Sequence, residues 1–71
     1  MQINSRHVQK VLHSIGLSEY EAKVYESLVL NGPSESRYLS MMSGVPRTKI
    51  YHILKKLIER HLVLELPTNP Q

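Results

Sequence analysis

The sequence predicts a small, mostly α-helical domain with four helices and one short strand. Apolar residues recur at helical spacing in four stretches, and breaks rich in glycine, proline and serine separate those stretches. A chain of 71 residues buries only about 60% of the surface that its unfolded form exposes, so it can support a single core. We therefore expect one domain over residues 1–66, followed by a frayed tail or the start of a linker over residues 67–71.

The first two helices are predicted from their ends as well as from their apolar residues. Helix 1 is expected over about residues 6–15, where apolar residues recur every three or four positions and Gly16 supplies a residue suited to ending a helix. Helix 2 is expected over about residues 19–31. Ser18 stands three positions before Glu21, which is the capping-box pattern at a helix start.

The third and fourth helices are predicted around a short turn. Helix 3 is expected over about residues 35–42, with Ser34 or Ser36 as its cap. Helix 4 is expected over residues 46–61, because a proline fits the first turn of a helix. Residues 62–66, with the sequence LVLEL, are expected to form a short strand because apolar side chains alternate around a glutamate.

Helix 4 has an apolar face and a basic face. On a helical wheel Leu54 and Leu57 lie within about 40° of Ile50, so this side is expected to be buried. The side chains that point away are Thr48, Lys49, His52, Lys55, Lys56 and Glu59. The net charge of the chain is +3, and residues 46–62 carry five lysines and arginines against one glutamate. This concentration of positive charge suggests a polyanion as the partner.

Helix 3, the turn containing Gly44 and helix 4 have the proportions of a helix-turn-helix. A helix held in this way fits the major groove of double-stranded DNA, which is about 12 Å wide. We expect bases to be read by Thr48, Lys49 and His52 and phosphates to be contacted by Lys55 and Lys56, with Arg60 as a further candidate for phosphate and Arg47 compatible with either role.

Two strings in the sequence resemble a known family. The stretches IGLSEYEAKVYESLVLNGP and SGVPRTKIYHILKKLIERHLV, within about residues 11–63, are similar to the DNA-binding domain of the archaeal TrmB-type transcription regulators. The resemblance implies a winged helix-turn-helix, dimeric binding to operator DNA and repression or activation of nearby genes. Carried over position by position, it implies DNA contacts by Arg47, Thr48, Lys49 and Tyr51.

The sequence departs from this family pattern at three points. His61 stands where family members typically have a glycine after the recognition helix, so the helix either ends there at some energetic cost or continues further. Only five residues follow Leu66, so the β wing is short or vestigial, or the chain is an excised domain. The sugar-binding domain and coiled coil of larger members have no counterpart in these residues, and no small-molecule effector is evident.

Other classes of function lack the residues they need. The chain has no cysteine and no aspartate, and no pair of histidines has the spacing of metal ligands. We therefore expect no enzyme activity, no metal and no cofactor. Apolar runs are too short to cross a membrane, and a cytoplasmic location is expected.

Two questions about partners remain open at this stage. Apolar residues to spare, namely Ile3, Val8 and Val24, suggest a homodimer that pairs through the N-terminal helices and binds two half-sites about 34 Å apart. The alternative is that the apolar stripe of helix 1 only covers the three-helix core. The alternative to DNA binding is a winged-helix module for protein interaction, docked on a transcription or division complex.

Overall fold

The computed structural model describes residues 4–66. They form four helices, which are α1 (Ser5–Ser14), α2 (Glu19–Asn31), α3 (Ser36–Ser43) and α4 (Arg47–Glu59). α2 is central: α1 packs against α2 alone, whereas α3 and α4 pack against α2 and against each other. The predicted class, number and order of helices are confirmed. No helix in this part of the chain has the length and apolar character to span a membrane. The predicted tail, residues 67–71, lies outside the described residues.

The core is built from one face of each helix and from the connections between them. α4 contributes Ile50, Ile53 and Leu57, of which the first and last are fully inaccessible to solvent. The other buried apolar residues are Leu12, Leu17, Ala22, Val24, Leu39 and Val45. Burying a leucine or isoleucine stabilises a fold by about 1.5–3 kcal/mol, so the rotation of α4 about its own axis is set by this contact.

The start of α2 is capped as the sequence predicts, and α1 is capped by Asn4, for which no cap was predicted. The Asn4 side chain accepts hydrogen bonds from two N–H groups in the first turn of α1. At α2, the Ser18 N–H donates to Glu21 Oε1 at 2.8 Å, and the Glu21 N–H donates to Ser18 Oγ at 3.2 Å, which completes the capping box. The Ser18 N–H is the largest cause of a lowered Glu21 pKa, with further lowering from the Ser18 hydroxyl, Lys56 and Arg60, against the raising effect of burial.

α4 ends in a left-handed residue that is not glycine. His61 has φ 61°, its N–H donates to the Ile58 carbonyl at 2.9 Å, and the Leu62 N–H donates to the Leu57 carbonyl at 3.0 Å. This pair of bonds is the Schellman motif. α1 ends with the same pair around Gly16. Of the two alternatives for the end of helix 4, the structure has the one in which the helix stops.

The predicted end of helix 4 and the predicted strand are corrected. α4 ends at Glu59 rather than at residue 61, since the left-handed conformation closes it. Residues 62–66 form bends followed by irregular backbone, and no strand occurs in residues 4–66. A strand needs a neighbouring strand for its N–H and carbonyl groups, and this range offers none. Leu64 and Leu66 are 87% and 56% exposed, so the described residues do not show a β wing.

The predicted caps of α3 and α4 are corrected as well. Neither Ser34 nor Ser36 caps α3. Its N-cap is Glu35, which makes no side-chain cap bond, and the Ser34 hydroxyl instead donates to the Gly32 carbonyl at 2.9 Å. Pro46, predicted inside the first turn of helix 4, is the N-cap residue and makes no side-chain cap bond either.

The first prediction concerns His61. Left-handed backbone costs a residue with a Cβ about 1–2 kcal/mol, whereas glycine adds only about 0.4–1 kcal/mol of unfolded-state entropy. His61→Gly is therefore expected to raise the free energy of unfolding by about 0.5–1 kcal/mol, measured by urea denaturation. The same substitution within α4, His52→Gly, serves as the control and is expected to lower it by about 0.5 kcal/mol. A lower free energy of unfolding in both variants would contradict the conclusion that the left-handed backbone is costly for His61.

The second prediction concerns acid stability. The pKa of Glu21 lies below its ordinary value of 4.5 in the folded protein, so its contribution is complete above that value and is lost as pH falls through the folded pKa. Glu21→Gln can keep the hydrogen bond of the capping box but removes its charge, so it is expected to lower the free energy of unfolding by about 0.3–1 kcal/mol at pH 7 and by much less at pH 2. Thermal unfolding at both pH values measures this. The control is Glu19→Gln, which removes an exposed carboxylate paired only with Lys23; an equal pH dependence for both variants would refute the assignment.

Candidate nucleic-acid interface

The turn between α3 and α4 fixes the angle of the two helices. Gly44 adopts the left-handed conformation, with φ 76° and ψ 8°, and the space beside its Cα is open, so backbone conformation rather than crowding favours glycine. Val45 is 1% exposed and inserts into the core. The Ser40 hydroxyl donates to the Val45 carbonyl at 2.6 Å, and the Val45 N–H donates to Ser43 Oγ at 3.2 Å. α3, this turn and α4 thus form a rigid helix-turn-helix.

Burial of one face of α4 leaves its opposite surface accessible to a partner. Ile50 lies at the centre of the buried face, with no exposed surface. Every residue for which a DNA contact is predicted is exposed; these residues are Arg47, Thr48, Lys49, Tyr51, His52, Lys55 and Lys56. We call this set the α4 surface. All of its members lie on one helix, so the fold brings them together without any contribution from α1 or α2.

The α4 surface has an outer ridge with a flank on either side. At 100° per residue, Thr48, His52 and Lys55 lie on the side opposite the buried face and form the ridge. Lys49 and Lys56 lie on the flank towards the start of α2, where Lys56 helps to lower the pKa of the capping carboxylate. The ridge therefore offers a hydroxyl, an imidazole and an ammonium group in sequence, and the flank adds two further cations.

Tyr51 on the other flank is held by α3. Its ring is 65% exposed, and its hydroxyl oxygen accepts a hydrogen bond from Ser36 Oγ at 3.0 Å. The phenol keeps its own hydrogen as a donor. Ser36 is the residue that the sequence analysis missed in this role, since it was assigned to a cap. No local pattern signals the contact, because the two residues lie on different helices.

Arg60, a further candidate for a phosphate contact, is exposed and also bonds to the end of α1. Its guanidinium donates to the Ile15 carbonyl at 3.0 Å and to the Gly16 carbonyl at 3.3 Å. Both acceptors lie at the C-terminal end of α1, where a cation is favoured by the helix dipole. These two hydrogen bonds join the end of α1 to the end of α4.

The first turn of α4 leaves two backbone N–H groups unpaired within residues 4–66. The Lys49 and Ile50 N–H groups donate to the Pro46 carbonyl. In this range, the N–H groups of Arg47 and Thr48 have no hydrogen-bond partner, so both are available to an anion.

No group of three or more histidines, cysteines or acidic residues in residues 4–66 is arranged to hold a metal ion.

Comparison with known proteins gives a family and two curated relatives. The family described as "Sugar-specific transcriptional regulator TrmB" matches residues 12–71. The chain is 38% identical over 50 residues to "Uncharacterized protein YrhO" of Bacillus subtilis, which covers 70% of this chain and 18% of that protein. It is 34% identical over 68 residues to "HTH-type sugar sensing transcriptional regulator TrmBL1" of Pyrococcus furiosus, which covers 84% of this chain and 20% of that protein. No solved structure matches significantly.

These matches cover the helices that build the site. Residues 12–71 include all of α2, α3 and α4. One relative is bacterial and the other archaeal, so they do not restrict the chain to an archaeal source. The chain spans 18% and 20% of the lengths of these two relatives. By the match over residues 12–71, it belongs to the TrmB family of transcriptional regulators.

Proposed function

We propose that this domain binds double-stranded DNA in a sequence-specific manner and regulates transcription, with α4 lying in the major groove. The observation that carries the proposal is the orientation of α4, which buries Ile50 and Leu57 completely and leaves the whole α4 surface exposed. The major groove, about 12 Å wide, admits an α-helix. Membership of a family of transcriptional regulators supports the same function.

The side chains of the α4 surface suggest a division of roles. We assign base reading to Thr48, Lys49 and His52, because they lie in the half of α4 nearest to its start and offer donors and acceptors for base edges. Lys55 and Lys56 lie further along the helix and are assigned to phosphates. Arg47, beside the first turn, suits either a phosphate or guanine, and the phenol of Tyr51 is assigned to a phosphate.

The start of α4 supports the phosphate contacts. The N–H groups of Arg47 and Thr48 are without partners among residues 4–66, and the positive end of the helix dipole lies at the same place. Together they favour a phosphate oxygen at this point of the duplex. A phosphate held there would set the depth to which Lys49 and His52 enter the groove.

We further propose that two copies bind together, through α1. Val11 and Ile15 are 47% and 52% exposed and lie on one side of α1, a helix that packs against α2 alone. A dimer lengthens the recognised sequence to two half-sites, about 34 Å apart. Of the residues predicted for this surface, Val24 has no exposed area and is removed from the proposal, and Val8 is half-buried against the core. Ile3 lies outside the described residues.

The proposal includes neither a catalytic step nor a cofactor, and no small-molecule effector. It places the protein in the cytoplasm, where its DNA is. The alternative of a protein-interaction module makes an opposite demand on the same surface, because α4 would then be covered by an acidic partner rather than a duplex. DNA binding by the isolated chain separates the two functions.

The third prediction tests the division of roles on α4. Lys55→Ala is expected to weaken binding to all duplexes equally and to reduce the slope of log Kd against log salt by about 1. Thr48→Ala or His52→Ala is expected to narrow the difference between specific and random DNA by about 1 kcal/mol or more. Fluorescence anisotropy at several salt concentrations measures both, using a site selected from genomic fragments.

The matched control is Lys23→Ala, which removes a cation that is paired with Glu19 on α2. It is expected to leave affinity and specificity unchanged. For the unmodified chain, four to six phosphate contacts per monomer give a slope of log Kd against log salt of about +4 to +5. Equal losses of specificity in Lys55→Ala and Thr48→Ala would refute the assignment of roles, and a lack of binding at low salt would favour the protein-interaction module.

The fourth prediction tests the dimer. Sedimentation of the chain with a palindromic duplex is expected to give two copies per duplex, and the double change Val11→Ser with Ile15→Ser is expected to give one. Both side chains are about half exposed, so the change in stability is expected to be small. Met41→Ser alters a residue that is 70% exposed on α3 and should retain the dimer. A monomer both free and on the palindrome would exclude this arrangement.

A further inference from the structure

α1 carries a second cationic surface, separate from α4. Arg6, Lys10 and His13 recur at intervals of four and three residues, so they line one face of the helix, and His7 and Ser14 lie beside them. All five side chains belong to exposed residues. α1 contains no acidic residue, and among residues 4–66 no ion pair involves these cations. We call this set the α1 face.

The α1 face points away from the rest of the domain. The opposite side of α1 packs against the core through Leu12 and Val8. At one edge of the α1 face, Gln9 Nε2 donates to the Ala22 carbonyl at 3.2 Å and to Glu26 Oε1 at 2.8 Å. α1 makes no helix packing contact with α3 or α4 among the described residues, and α2 lies between them. The α1 face and the α4 surface therefore lie on two helices that do not pack against each other.

The chemistry of the α1 face favours nucleic-acid phosphate over a protein or a membrane. Protein interfaces depend on apolar or aromatic anchors at their centre, and a helix on a membrane inserts apolar side chains. None of the five side chains of the α1 face is apolar, and the exposed Val11 and Ile15 on the neighbouring side of α1 are assigned to the dimer. Arg6 and Lys10 lie about 6 Å apart along the helix axis, and a duplex presents a phosphate charge about every 1.7 Å, so each cation can meet its own phosphate.

We propose that the α1 face is a second, sequence-independent phosphate-binding surface that holds another duplex segment while α4 occupies the first. His13 contributes to it: its Nδ1 lies 3.0 Å from the Leu17 carbonyl, and in the doubly protonated ring Nδ1 donates to that carbonyl while the Nε2 N–H donates to a phosphate. The surface goes beyond the proposed role of α4 and does not require α4 to read sequence. Its consequence is that one domain bridges two DNA segments.

A capture experiment with the whole chain tests this proposal. One duplex containing the selected site is fixed to beads, the protein is added at low salt, and capture of a fluorescent duplex of unrelated sequence is measured. The double change Arg6→Gln with Lys10→Gln is expected to reduce capture about tenfold, with binding to the first duplex changed less than about twofold. Loss of two phosphate contacts also lowers the salt slope of capture by about 2.

Two controls separate this surface from a general charge effect. The exchange Arg6→Lys with Lys10→Arg keeps both charges and is expected to retain capture. Lys10→Gln is compared with Lys23→Gln, which makes the same change at a paired lysine on α2 and is expected to have no effect. His52→Ala is expected to reduce the amount of protein on the fixed site and to leave unchanged the amount of unrelated duplex captured per bound protein, which distinguishes a failure of this surface from a failure of α4.

Several results would overturn the proposal. One is undiminished capture by the double glutamine variant, and another is loss of capture in the charge-preserving exchange. A change of oligomeric state in the glutamine variant, seen by sedimentation, would attribute capture to the two α4 helices of a dimer. Stronger binding of the α1 face to phosphatidylserine vesicles, or to polyglutamate, than to the duplex would assign it to a different partner.

Discussion

The burial of the apolar face of α4 is the contact on which the remaining features depend. Ile50 and Leu57 have no exposed area, and each contributes about 1.5–3 kcal/mol through burial. Turning α4 by one residue would bring Lys49 or Tyr51 into the core, and burial of an unpaired ammonium group is far more costly than any contact it could gain there. The orientation of the cationic surface is therefore a consequence of core packing and needs no ligand to establish it.

Much of the fold follows from signals that are local in the sequence. The capping box at Ser18 and Glu21 and the left-handed glycine at Gly44 each involve residues a few positions apart, and each is formed in the structure. The predicted strand at residues 62–66 does not form, because a strand depends on a partner elsewhere in the chain. Alternation measures how well a segment suits a strand, but a strand forms only beside another, and residues 4–66 hold no such neighbour.

The end of α4 shows a different limit of pattern analysis. His61 falls on the inner side of the helical wheel, so periodicity alone extends the helix to that residue. In the structure its backbone is left-handed and closes the helix with two hydrogen bonds. Helical periodicity describes which side of a helix is apolar, whereas the end of the helix depends on the backbone conformation of a single residue. A histidine can adopt the left-handed conformation, but its presence in a sequence does not predict it.

The candidate site was predictable to the extent that it follows from the exposure of one helix. Helical periodicity was sufficient to predict which side chains of α4 are exposed. It did not predict the contacts that other parts of the fold make with the side chains of this helix. Ser36 supports Tyr51 across a turn, and Arg60 is engaged by carbonyls 44 and 45 positions earlier in the chain. A helical wheel does not distinguish a charged side chain that faces solvent from one that bonds to a distant backbone oxygen.

The bonds of Arg60 have a mechanical consequence. α1 has no packing contact with α4 among the described residues, yet these bonds tie the last turn of one to the last turn of the other. A tilt of α1 thus pulls on α4 directly, without passing through α2. In an assembly joined by its first helices, this side-chain tether would limit how far α1 moves relative to α4, and with it the range of half-site separations that the assembly could bind.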